Sequence, residues 1–268
     1  MPPTIALLTD FGLRDHYVGA VKGVLRSLRP DAVLVDVVHD LPAHDVAAGA
    51  LSLAAAYRCF PAGTVFLAVV DPGVGTARRG LALDAAGFRF VAPDNGLLGL
   101  VMGERPRVHA ITNAALFRQP VSATFHARDV FGPVAAHLAA GAALDTVGPP
   151  LDDPVRLPWP GVRAAGPHEV EATVVHVDHF GNLTTSLGGD ALDRLAREAG
   201  EGAEVTVAVE GALLPLARTY ADVPAGEACA LVGSGGWLEV AVNQGQAARL
   251  LGAGRGTVVR VRARPAVL

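Results

Sequence analysis

The strongest constraint on the fold lies near the N-terminus, where short apolar runs alternate with helical patterning. The runs are Thr4–Thr9, Ala32–Val38 and Thr64–Val70. They are apolar at consecutive positions, as expected of strands buried on both faces of a parallel sheet. The segments between them read as helices. Asp15 is positioned to cap one that runs to Leu28 and stops at Pro30, and a second spans Asp45–Tyr57 before Pro61-Ala-Gly63. Leu81–Asp84 and Phe88–Ala92 flank Ala85-Ala-Gly87 as a hairpin, and Phe131–Ala140 reads as a helix. A β-α-β-α-β order with short connections specifies an α/β layer with a largely parallel central sheet.

The pattern changes after Gly148-Pro-Pro150. Proline-rich sequence without periodicity runs to Pro167, and strand patterns dominate from there. Val170–Val177, Glu204–Val209, Ala228–Val232, Trp237–Val242 and Thr257–Arg262 are the expected strands. Asp190–Glu198 and Gln244–Leu251 are the expected helices, the latter capped by Asn243. The expected organisation is an N-terminal α/β domain (1–150), a linker (151–167) and a smaller, mostly-β C-terminal domain (168–268).

Composition excludes several classes. With 268 residues, 51% hydrophobic and 18% charged, the chain has ample material for a core and little resemblance to disordered sequence. A net charge of −4 lacks the basic face that a nucleic-acid binder needs. Lys22 is the only lysine. Cys59 and Cys229 have no metal-type spacing and read as small buried hydrophobes in a reducing compartment. No apolar run approaches the roughly 20 residues of a membrane span, and no leader pattern precedes Thr4. The expectation is a cytoplasmic protein with no membrane partner.

In open parallel sheets ligands bind beyond the carboxyl ends of the strands. There this sequence places Thr9-Asp10-Phe11-Gly12, Asp36 with His39-Asp40, Asp71-Pro-Gly-Val-Gly75 and Pro93-Asp-Asn-Gly96. Asp10 can accept two hydrogen bonds from a diol such as ribose, or simply form the turn before Gly12. The glycine-rich segment after Asp71 lacks the Gly-Lys-Ser/Thr of a phosphate loop and does not open a helix. Asp71, Arg78 and His126 have the chemistry to hold and polarise one water, since Asp and His take or relay a proton and Arg adds positive charge. Asp10, Asp15, His16, His39, Asp71 and His126 are also metal ligands by type, although no His-Glu-x-x-His, Cys pair or EF-hand spacing is present. In the C-terminal half, Asn182 can read an adenine edge and Phe180 can stack on a flat ring, or Gly181-Asn182 is only a turn. Ser234, in Gly233-Ser-Gly-Gly236, can bind a carboxylate with nearby amides, or sits in a plain hairpin connection.

These motifs form an ordered set. Thr9-Asp-Phe-Gly12, Asp15-His-Tyr-Val-Gly19, Val70-Asp-Pro-Gly-Val-Gly75 with Arg78, Pro93-Asp-Asn-Gly96, Phe125-His-Ala-Arg-Asp129, Phe180-Gly-Asn182, Thr219-Tyr-Ala-Asp222 and Leu238-Glu-Val-Ala-Val-Asn243 follow one another along the chain. Together they resemble the S-adenosyl-L-methionine hydroxide adenosyltransferases, hydrolase relatives of fluorinase and chlorinase, over nearly the whole chain. The resemblance implies an α/β domain plus a β-barrel-like domain. It also implies a homotrimer whose active sites lie between the N-terminal domain of one subunit and the C-terminal domain of the next. It implies that Asp71, Arg78 and His126 activate water and that Asp10 binds ribose. Asn182 and Phe180 would meet adenine, with Tyr220 beside them; Asp178 would bind the methionine amino group and Ser234 its carboxylate. No cofactor is implied, S-adenosyl-L-methionine being the substrate.

The departures from the halogenase members bear on the nucleophile. Those members carry Tyr where Asp71 stands, a halide-binding Ser where Ala127 stands, and in fluorinase a Thr where Val74 stands. All three differences favour water. Gly235 and His44 replace an Arg and a Trp near the ligand in fluorinase. The competing readings are a halogenase of the same superfamily, a metal-dependent phosphohydrolase or nucleosidase, and a non-catalytic trimer that binds S-adenosyl-methionine or adenosine.

Overall fold

The structure, a computed structural model, describes residues 2–265 and divides into two compact units, Met1–Leu157 and Pro158–Leu268. The first holds strands β1 (Thr4–Thr9), β2 (Val33–Val38), β3 (Val65–Val69), β4 (Gly80–Ala85), β5 (Phe88–Pro93) and β6 (Arg107–Ala110). They form a six-stranded sheet in the order β2-β1-β3-β5-β4-β6. The β2/β1, β1/β3 and β3/β5 pairs are parallel, and β4 is antiparallel to both neighbours.

Helices α1 (Tyr17–Leu28), α2 (Val46–Ala56) and α3 (Gly132–Ala139) cover the sheet. Strand alternation sends Ile5, Leu7, Val65, Leu67 and Val69 to one face, against Val21 and Leu25 of α1 and Val134 and Leu138 of α3. Ala6, Leu8, Phe66 and Ala68 go to the other, against Ala50 and Leu53 of α2. This is why β1 and β3 are continuous apolar runs. Each fully buried Leu or Phe side chain contributes roughly 1.5–3 kcal/mol, so these strands are firmly fixed platforms for the polar residues at their ends. From β1 the chain leaves through α1 on one face to β2, then returns through α2 on the opposite face to β3 on β1's other side. That reversal opens a crevice at the carboxyl ends of β1 and β3.

The second unit contains β7 (Arg163–Gly166), β8 (Glu169–Val177), β9 (Leu183–Gly188), α4 (Gly189–Ala199), β10 (Glu204–Val209), β11 (Ala212–Pro215), β12 (Ala228–Val232), β13 (Trp237–Val242), α5 (Ala247–Leu251) and β14 (Val258–Arg264). Its eight-stranded antiparallel sheet runs β11-β10-β14-β8-β9-β13-β12, with β7 on β8. A register shift between Val174 and His176 interrupts the β8/β9 ladder, where such irregularities bend a sheet. Beyond β11, Leu216 bridges Ala230 of β12, and the Ala217 N–H donates to the Ala230 carbonyl at 2.7 Å, so the sheet nearly closes into a barrel. Its inward residues, among them Val207, Leu238, Val240, Val259 and Val261, form a separate core.

The expected fold class is the observed one. Local details differ. The N-cap of α1 is His16, without a side-chain cap bond, rather than Asp15. Helix α5 starts at Ala247, and the Asn243 amide donates to the Val223 carbonyl instead of capping it. Cys229 is buried but Cys59 is exposed. Among the described residues no helix is long and apolar enough to cross a membrane.

Candidate active site

The crevice of the first unit is built by two loops that approach at a glycine. After β3 the chain turns through Asp71–Arg79, and Gly75 sits at φ +79°. A Cβ at Gly75 would stand 2.5 Å from the Ala123 carbonyl oxygen, so only glycine permits this contact. The approach brings Arg78 between Asp71 and His126. Arg78 Nε donates to Asp71 Oδ1 and Oδ2 at 2.9 and 3.0 Å, and Nη2 donates to Oδ2 at 2.5 Å. Nη2 also lies 2.8 Å from His126 Nδ1. A guanidinium only donates, so Nδ1 is the acceptor and a neutral His126 carries its proton on Nε2. Burial pushes the His126 pKa below its usual value and the Arg78 charge adds to this, against the opposing pull of Asp71 and Asp129. The guanidinium also lies over the Phe131 ring, 5.1 Å from its centroid.

His126 stands at the entry of a π-helical turn, Ala127–Phe131, that leads into α3. Asp129, fully buried, ties the turn down. It accepts from Arg128 Nε and Nη2, both at 2.7 Å, from the Ser122 N–H at 2.9 Å and from Arg118 Nη1 at 3.2 Å. Burial works to raise the Asp129 pKa, but these donors outweigh it and hold the carboxyl below its usual range.

Asp10 follows β1, and its Oδ2 accepts from the His44 N–H at 2.8 Å. Asp10, Asp71, Val74 and His126 line a cavity of about 290 Å³ together with Phe11, Tyr17 and Phe125. The three rings pack at centroid distances of 5.4 to 6.2 Å and form an apolar wall beside the two carboxylates. These aromatic residues lie inside the ordered motifs of the chain, where sequence alone assigns them no role.

The second unit gathers other candidates around a cavity of about 630 Å³, lined by Phe180, Asn182, Tyr220, Asn243, Gln244 and Gln246 among others. Asp178 organises its rim. Its Oδ1 accepts from the Phe180 and Asn182 N–H groups at 2.9 and 2.8 Å, and its Oδ2 from Asn182 Nδ2 at 3.0 Å. This fixes the direction of the Asn182 amide. Phe180 is 69% exposed. The Tyr220 hydroxyl donates to Glu239 Oε1 at 2.9 Å, and burial followed by the Glu239 contact pushes its pKa up to about 12. Glu239, which lies in the Leu238–Asn243 motif with no role assigned from sequence, has its own pKa raised by burial, with Asp178 adding to the effect against the Tyr220 hydrogen bond. Ser234 lies exposed in the β12–β13 turn and is not among the residues lining the cavity. Among the described residues no three His, Cys, Asp or Glu side chains come together to hold a metal ion.

An α/β layer with an Asp–Arg–His cluster at its switch point, followed by a near-closed antiparallel barrel, defines a class of two-unit chains built to handle a small polar ligand. The comparisons narrow that class. The model of the SAM hydroxide adenosyltransferase N-terminal domain matches residues 5–148, and that of the C-terminal domain matches residues 172–260. The chain belongs to this family. It is 45% identical to a Salinispora tropica protein named (R)-S-adenosyl-L-methionine hydrolase, over 97% of this chain and 98% of that one. It is 32% identical to a Nocardia brasiliensis fluorinase, over 90% of each. A crystal structure of an uncharacterised conserved protein from Thermotoga maritima superposes with a TM-score of 0.88 at 36% identity, covering 96% of this chain and 99% of that one.

Proposed function

We propose that this enzyme hydrolyses S-adenosyl-L-methionine, in the (R) form that its relatives' name specifies, to adenosine and methionine, and that Asp71, Arg78 and His126 activate the water. The observation that carries the catalytic assignment is the Arg78 bridge between Asp71 and His126.

Water attacks C5′ of the ribose in line, the C5′–sulfur bond breaks, and its electron pair stays on sulfur to give the thioether of methionine. One proton is released per turnover. The sulfonium leaves without protonation, so the protein has only to position and partly desolvate the nucleophile. The bridge divides the labour. His126 Nδ1 is occupied by Arg78 and Nε2 carries the proton, so the imidazole orients the water by donating to it. Asp71 Oδ1 accepts a single N–H from Arg78 and keeps a lone pair, which takes the proton of the water. Arg78 stabilises the resulting charge distribution and holds both partners in place.

For substrate, Asp10 keeps one oxygen beyond its His44 contact for the ribose diol. Asn182 offers its fixed amide to adenine, with Phe180 and Tyr220 as flat neighbours. Asp178 faces the methionine ammonium and Ser234 the carboxylate. A homotrimer, with neighbouring copies completing each active site, remains part of this reading and is checked by light scattering on a sizing column. A carboxylate at Asp71 repels a halide, and Ala127 has no hydroxyl to bind one.

The test is incubation with S-adenosyl-methionine in halide-free, EDTA-containing buffer made with ¹⁸O-water, followed by chromatography and mass spectrometry. Adenosine labelled at its 5′ oxygen and methionine should appear in equal amounts. Unchanged substrate refutes the metal-free hydrolase. Turnover that requires chloride or a divalent ion assigns the enzyme to the halogenases or to the metal-dependent enzymes.

A further inference from the structure

The carboxyl ends of β1 and β2 carry polar residues that the proposed chemistry does not use. Thr9 and His39 are both buried, at 3% and 4% exposure. Thr9 Oγ1 lies 2.8 Å from His39 Nδ1 and accepts from the Phe11 N–H at 3.3 Å. On the other side of the ring, His39 Nε2 stands 3.0 Å from Asp36 Oδ1. That approach is off the line of a hydrogen bond, so it is an electrostatic contact rather than an aligned one. Asp36 Oδ2 takes a 2.6 Å bond from Lys22 of α1. The His39 carbonyl in turn accepts the Gly12 N–H at 2.8 Å.

One polarity fits this chain of contacts. With the Nε2 proton facing the Asp36 carboxylate, Nδ1 is the acceptor for the Thr9 hydroxyl proton, which leaves Thr9 Oγ1 to accept from Phe11. Thr9 is thereby tied to the buried ring through its hydroxyl, and the Phe11–Gly12 turn is held through two N–H groups, that of Phe11 by the Thr9 hydroxyl and that of Gly12 by the His39 backbone carbonyl. Among the described residues, Asp10 itself is held through Oδ2 by the N–H of His44, a residue in the left-handed region at φ 66°.

We infer that His39 and Thr9 are positioning residues that aim the Asp10 carboxylate, and that the Asp36–Lys22 pair anchors the His39 ring from outside. They touch no reacting atom. Their effect is on recognition of the ribose diol, and the inference rests on the reading of Asp10 as the ribose ligand. Thr9→Val removes the hydroxyl and keeps the shape of the side chain, Thr9→Ser keeps the hydroxyl, and His39→Phe keeps a ring without nitrogens.

The experiment measures kcat and KM for S-adenosyl-methionine and for its 2′-deoxyribose analogue, with melting temperature alongside. The parent should prefer the natural substrate. Thr9→Val and His39→Phe should each reduce that preference by about tenfold, the fold-change of one net hydrogen bond, mainly through KM for the natural substrate. Thr9→Ser should restore the preference. Variants that melt lower but keep the parental preference would overturn the inference and leave a structural role only. Asp10→Asn separates the two layers: if it too keeps the parental preference, the ribose reading of Asp10 fails and the positioning role falls with it. If Asp10→Asn loses the preference while Thr9→Val keeps it, only the positioning role fails.

Discussion

Replacing Asp71 with asparagine changes one oxygen to an amide and leaves the shape of the cluster nearly intact. The Asp71 and Arg78 side chains are 6% and 12% exposed, so the substitution strands a buried guanidinium without its counter-ion. The new amide can turn its oxygen toward Arg78 Nε, but its NH₂ then faces Nη2, which now sits 2.5 Å from Oδ2, donor against donor. Breaking a buried pair by removing one partner costs about 3–5 kcal/mol; one contact survives here, so the lower end, about 3 kcal/mol, applies. At about 2–4 °C per kcal/mol for domains of this size, the melting temperature should fall by about 6–12 °C. If Asp71 is the base, its loss should lower kcat by about 10²–10⁴, equivalent to about 2.7–5.5 kcal/mol of barrier. KM should change far less, because in the proposed mechanism Asp71 meets the water rather than the substrate. Chromatographic kinetics well below the lowered melting temperature, with differential scanning fluorimetry in parallel, measure both. A variant that turns over at the parental rate would remove Asp71 from the mechanism, and one with parental kcat but raised KM would make it a binding residue.

Other substitutions probe the loops around this cluster. Gly75→Ala should cost roughly 1–3 kcal/mol of backbone strain and push the Ala123 segment away, lowering kcat by separating Arg78 from His126; unaltered kinetics would deny that the close approach matters. Because burial and Arg78 depress the His126 pKa below its ordinary value of 6.5, the neutral ring persists into mildly acidic solution. The acidic limb of log kcat/KM should therefore inflect below that value, and His126→Gln should abolish the inflection. Asp129 is held below its ordinary value of 3.8, so the unfolded chain binds the proton more readily than the folded one. Its contribution to stability is present above that value and is lost as pH falls toward the depressed folded value. Circular-dichroism melts should show a shallower acid loss in Asp129→Asn than in the parent, and identical slopes would refute the assignment.

The parts of the fold legible in the sequence are those whose burial leaves one simple pattern. Strands β1 and β3 are covered on both faces and read as apolar runs, and β14 alternates cleanly because one face is solvated. Strand β9, Leu183–Gly188, escapes because Thr185 and Ser186 are polar yet buried, with the Ser186 hydroxyl accepting the Thr173 N–H at 3.1 Å. Strands β6, β7 and β11 have four residues each, too few to show a period. Asp15 and Asn243 are cap residues by type, but the helices begin beyond their reach. The residue types of the candidate site are visible in the motifs. That Arg78 stands between Asp71 and His126, and that Glu239 supports Tyr220, depend on contacts between distant segments that no local pattern encodes.

The Lys22–Asp36 pair has a chemical consequence. Lys22 is the sole lysine of the chain, and about a third of its side chain is exposed. Apart from any free α-amino group, an amine-acylating reagent therefore has one target, and it can attack only the deprotonated amine, which forms readily only when the ion pair opens. Intact-mass spectrometry would then show a single added label, at a known place on α1, without any substitution. The rate of its appearance, set against that of a free amine, would report the fraction of time that one ion pair stands open in the unmodified enzyme.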